Sequence, residues 1–168
     1  MSTLDLSYAK EKPPQSERAE VTLSVSARGW GWGWSVFEGD RPTTSGFFRI
    51  PDHEGGHAVS HAKKCVLAFG ELIEASRRAP FQVLITDVRE PSHAAASLLP
   101  VLAAMSRAIY VEADRDWLDQ VGLKKRELSS WATVFLGKAP QDETVSLSLG
   151  LGNWWARRRK LERGQLGL

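Results

Sequence analysis

Apolar residues alternate with polar ones from Val21 to Phe37 and then, from His61 onward, recur at helical spacing; this change of period constrains the fold more than any other feature of the chain. In "VTLSVSA", Val21, Leu23 and Val25 alternate with Thr22, Ser24 and Ser26, which is a strand pattern, and "WGWGWSVFEGD" keeps the same period of two. A third strand is expected at Gly46 to Ile50, after the turn-rich "GDRPTTS". From His61, residues Ala62, Cys65, Val66, Phe69, Leu72 and Ile73 follow a helical face that Pro80 stops, predicting a helix over roughly 58–78. The nearly all-apolar "FQVLITD" reads as a strand buried on both faces. A helix over roughly 92–107 follows, in which Pro100 predicts a kink or a late start, and then the strand "AIYVEAD". Three closing segments, "DRDWLDQVG", "KKRELSSWATVFLG" and "QDETVSLSLGLGNWWARRRKLERG", read as helices.

At 168 residues the chain suffices for one domain with a real core, expected over 20–163 between a polar arm at 1–19 and a short tail at 164–168. No apolar run approaches the roughly 18 residues of a membrane span. The first residues lack the apolar core of a secretory signal, and Cys65 is the only cysteine, so no internal disulfide can form; a reducing, cytoplasmic setting is expected. The net charge of +2 does not by itself announce a nucleic-acid binder. The cations are unevenly placed, however: Trp154 and Trp155 precede Arg157, Arg158, Arg159 and Lys160, a set suited either to phosphates and stacked bases or to the solvated end of a helix.

Three hairpin-linked strands followed by alternating helices and strands build an α/β fold: a mixed sheet with helices on both faces, the arrangement of the RNase H-like fold. Two segments carry a more specific resemblance. Gly33-Trp34-Ser35-Val36 is similar to the Gly-aromatic segment of RuvC-type Holliday-junction resolvases, and counting back at that family's spacing lays Ser26-Ala27-Arg28 on its Asp-Pro-Gly. The helix ending at Pro80 and the strand "FQVLITD" resemble the family's helix and the strand bearing its second acid; the count from Pro80 places Thr86 there, with Asp87 one residue on. Since a one-residue offset turns a strand side chain to the opposite face, Asp87 substitutes only if a bulge shifts the register. The family's last helix carries two acids three residues apart, where this chain has Asp142 and Val145.

The resemblance implies phosphodiester cleavage by two Mg²⁺ ions held by four carboxylates. Ser26, Thr86 and Val145 supply none, which leaves Asp142, with Asp87 and Glu143 as residual acids. The expectation is therefore a RuvC-like domain that has lost most or all nuclease chemistry and serves as a DNA-binding or scaffolding protein on branched or single-stranded DNA. The alternative is a Mg²⁺-dependent, structure-specific endonuclease with an altered acid set. Related resolvases are dimers, which makes a homodimer an expectation too.

Within "SARGWGWGWSVFEG", Trp30, Trp32 and Trp34 project from one face and Gly31, Gly33 and Ser35 leave the other open to close approach. These rings either pack beneath a helix, or Trp30 or Trp32 stacks on unpaired bases while Arg28 holds a phosphate. A competing motif is the literal HExxH formed by His53, Glu54 and His57, followed by His61, which on a helix would bind Zn²⁺ with Glu54 as general base of a hydrolase. Gly55 and Gly56 oppose a helix there, and His61 falls too early for a third ligand, so a polar loop leading into the first long helix is the competing account. Cys65 reads as core, His93 as part of a helix start beside Ser92, and Asp114, Asp116 and Asp119 as helix-start acids.

Overall fold

The computed structural model describes residues 18–28, 31–49, 66–67, 70–74, 80–87 and 93–164. Five strands, β1 (Val21–Arg28), β2 (Gly31–Glu38), β3 (Arg41–Arg49), β4 (Val83–Thr86) and β5 (Ile109–Glu112), form one sheet in the order β3-β2-β1-β4-β5. β1, β2 and β3 pair antiparallel as a meander, and β4 and β5 run parallel to β1. Four helices follow β4 in the chain, namely α1 (His93–Met105), α2 (Trp117–Val121), α3 (Lys125–Leu136) and α4 (Glu143–Glu162). Of the helix expected over 58–78, residues 66–67 and 70–74 are helical. The order of strands and helices is the one the periodicity predicts.

Two details differ from the sequence expectation. β3 begins at Arg41, not Gly46, so the turn is confined to Gly39 and Asp40, with Gly39 at φ 61°. Pro42 is tolerated because β3 is an edge strand and the β2–β3 ladder is irregular at Val36/Phe37, beside its partner. Pro100 neither delays nor ends α1, which runs from His93 through it to Met105.

The sheet is covered on both faces. Leu23, Val25, Ala27, Trp32, Val36 and Leu84 face Leu72 and the α1 residues Leu98, Leu99, Leu102 and Ala103. On the other face Val83 and Ile85 pack against Trp117, Leu128, Leu147, Leu151 and Trp154 of α2, α3 and α4. α4 is the central helix of this layer, buried along most of its length because the sheet lies beneath it and α2 and α3 lie over it. Its largely apolar seam with the sheet contains a serine cluster: the Ser24 hydroxyl donates to Ser148 O at 2.6 Å, and the Ser35 and Ser148 hydroxyls lie 2.6 Å apart. Among the described residues, no helix is long and apolar enough to cross a membrane.

Candidate functional site

The end of β1, the end of β4 and the start of α4 converge, and strand pairing determines which side chains meet there. β1 and β4 are in register through Val25↔Thr86, so continuing the ladder by one residue brings Ser26 level with Asp87. Leu84 belongs to the α1 face, whereas Val83 and Ile85 belong to the α4 face. By the two-residue alternation Thr86 turns toward the α1 face, donating its hydroxyl to Val25 O at 3.1 Å, and Asp87 turns toward α4. The count from Pro80 lands on Thr86; the ladder with β1 makes Asp87 the carboxylate on the face of Ser26, with no bulge in β4 required.

Asp87 is buried and accepts a hydrogen bond from Arg28 Nη2 at 2.7 Å; the Asp87 side chain is 2% exposed and that of Arg28 23%. Arg28 ends β1, two residues beyond Ser26 on the same face, opposite Gly31 of β2. Ser26 is fully buried, and its hydroxyl has no hydrogen-bond partner among the described residues. Asp142 arrives from the third side as the N-cap of α4, its Oδ2 accepting from Thr144 N at 3.1 Å and Thr144 Oγ1 at 2.7 Å. That oxygen lies 3.4 Å from where a β-carbon on Gly31 would stand, which places the cap beside the Arg28 end of β1. Glu143 follows at the exposed first position of the helix, and Val145 points into a small core of Phe37, Ala132 and Leu149.

The glycines of the tryptophan segment make this approach possible. A β-carbon at Gly33 would lie 2.2 Å from the Thr144 carbonyl carbon, so the first turn of α4 rests directly on the β2 backbone. Trp32 takes the opposite face, 1% exposed and stacked on Phe48 with ring centroids 5.5 Å apart. Of the two alternatives for Trp32, packed ring or base-stacking ring, the buried one is found: its ring is core, because that face of β2 lies under the α1 layer. Trp30 and the histidine motif His53, Glu54, His57 and His61 lie outside the described residues.

Mg²⁺ demands near-octahedral coordination by hard oxygens and is held by carboxylates. These side chains do not fit it: Asp87 is bonded to a guanidinium, Asp142 caps a helix through Oδ2, and positions 26 and 145 carry a hydroxyl and an isopropyl group. Among the described residues, no three His, Cys, Asp or Glu side chains are grouped so as to hold a metal ion.

The C-terminal cations are elsewhere. Lys160 stands eighteen residues along α4 from Asp142, roughly 27 Å at the helical rise, against the opposite end of the sheet. Arg159 Nη2 pairs with Glu20 at 2.7 Å, Lys160 with Asp40 at 2.6 Å, and Arg158 with Asp114 at 3.2 Å, while Arg157 donates to Val121 O at 3.2 Å. Burial alone would raise the Glu20 carboxyl; hydrogen bonds from Arg159 and Trp155 outweigh it and hold Glu20 below its ordinary value. Arg158 and Arg159 lie over the Trp154 and Trp155 rings, each 5.3 Å from the ring centroid, and both indoles are buried. Sequence reasoning left this run open between phosphates with stacked bases and a solvated helix end and did not foresee these partners. It also missed the Arg28–Asp87 pair, for which opposite charges at the ends of adjacent parallel strands were the available signal.

No protein-family model matches the chain, and no curated protein matches it. Solved structures do. Thermus thermophilus RuvC in complex with a Holliday-junction substrate is 13% identical, superposes with a TM-score of 0.66, and is matched over 83% of this chain and 96% of its own. A second Thermus thermophilus RuvC structure gives 13% identity and a TM-score of 0.67 over 84% and 96%. With the sheet order and the layered helices, this likeness establishes an α/β fold of the RNase H-like type.

Proposed function

We propose that this chain is a RuvC-like DNA-binding domain that holds branched DNA without efficient cleavage. The reading rests on the match, over 83% of this chain, to a RuvC solved on a Holliday junction. The same reading is limited on the chemical side by the converging strand ends, where Ser26 and Val145 lack carboxyl groups and Arg28 engages Asp87. Two-metal hydrolysis needs clustered carboxylates to hold both ions against the attacking and leaving oxygens. A site with this composition supports binding in preference to turnover.

The test is a mobility-shift and cleavage assay on labelled four-way-junction and duplex DNA, with and without Mg²⁺ or Mn²⁺. The expected outcome is a salt-dependent shift that favours the junction, with no cleavage products. Metal-dependent cutting lost in Asp142→Ala would replace this reading with that of an active endonuclease using Asp87, Asp142 and Glu143. No shift at moderate salt would remove DNA binding from the account and leave the fold.

A further inference from the structure

We infer that Arg28 stands in for the divalent cation at this site: its guanidinium neutralises Asp87 and closes the Asp87–Asp142 carboxylates to metal. The inference deepens the reading of a non-cleaving domain but does not need DNA, since metal affinity is measured on the protein alone.

A carboxylate with 2% of its side chain exposed requires a compensating cation, because an uncompensated buried charge costs several kcal/mol. In a carboxylate-lined metal site the ion supplies that charge. Here the chain supplies it, from a residue on the same face as Asp87, at 2.7 Å. Arg28 holds the last position of β1, where pairing with Gly31 of β2 fixes its backbone three residues beyond the Val25↔Thr86 pair with β4. A guanidinium keeps its charge at any pH a protein survives, so it cannot step aside by losing a proton. Ser26 completes the argument. Its buried, unpartnered hydroxyl fills the position level with Asp87, where a carboxylate would be needed to make the cluster prefer a dication over one guanidinium.

Restoring the acid is therefore not enough. In Ser26→Asp the new carboxylate lies two residues from Arg28 on one face, within reach of the same guanidinium. Metal affinity should return only when the guanidinium goes as well.

The experiment is titration of metal-free protein with Mn²⁺, followed by calorimetry and by the loss of the free-ion resonance signal. Wild type and Ser26→Asp should show no binding at millimolar Mn²⁺. Ser26→Asp/Arg28→Ala should bind at least about tenfold more tightly than either. Binding by wild type at the level of the double variant, or by Ser26→Asp alone at that level, overturns the inference. A folded double variant that takes up no Mn²⁺ overturns it equally, since the carboxylates would then not share a site. A second reading needs no variant: millimolar Mn²⁺ should leave the wild-type melting temperature unchanged, and a rise would show an ion bound to the native state.

Discussion

The alternation of tryptophan and glycine in β2 divides two kinds of packing between the faces of a single strand. Trp32 fills the α1 side with a large ring, and Gly33 empties the α4 side so that a helix backbone can lie against it. Overpacking costs about 1–3 kcal/mol where neighbouring side chains can shift. At Gly33 the obstacle is the Thr144–Val145 peptide, which cannot rotate away. Gly33→Ala is accordingly expected to destabilise the protein by about 3 kcal/mol, read from urea midpoints with an unchanged slope. A loss within about 0.5 kcal/mol, the range of ordinary surface changes, would mean that α4 does not rest on β2. At this scale the sequence was legible in part: the two-residue period predicts opposite faces for Trp and Gly, but which face is roofed by which helix depends on elements far away in the chain.

Between elements, the junction of α4 with the start of β1 has electrostatics that can be titrated. Glu20 precedes β1 and receives Arg159 through Nη2 at 2.7 Å and Trp155 Nε1 at 2.9 Å. Its carboxyl titrates below 4.5 in the folded protein, so the stability it contributes is complete above pH 4.5 and is lost as pH falls through the lower folded value. Glu20→Gln should cost about 1.5–3 kcal/mol near neutrality, with the gap to wild type narrowing below pH 4.5; a gap independent of pH would exclude an ionised Glu20 as its source. Element order and type were readable because periods of two and of 3.6 residues differ plainly. The beginning of β3 was not, because Pro42 and the polar residues after it look like a turn until the strand is known to lie on an edge. The face of the acid on β4 was not readable for a related reason. Counting along one segment from Pro80 gives Thr86, whereas the face of each residue is fixed by pairing with β1, sixty residues earlier in the chain.

Across the whole molecule, α4 connects two ends with different contents: the Arg28–Asp87–Asp142 convergence at its start, and ion pairs to Glu20, Asp40 and Asp114 near its finish. Cations already paired with carboxylates release few counterions from DNA. Arg158→Ala is thus expected to lower the melting temperature slightly and to leave the salt slope of junction binding unchanged; a slope reduced by about one would place a phosphate contact there. Between those ends, the leucines of "VSLSLGLGN" would accept more than one lengthwise setting of the helix, since apolar contacts are tolerant of sliding. The hydroxyls of Ser24, Ser35 and Ser148 are less tolerant: displacement by a single helical turn would take Ser148 O away from the Ser24 hydroxyl and the Ser148 hydroxyl away from Ser35. They act as an alignment mark, choosing one position for the helix among several of similar greasiness, and so decide where along the sheet Asp142 comes to rest.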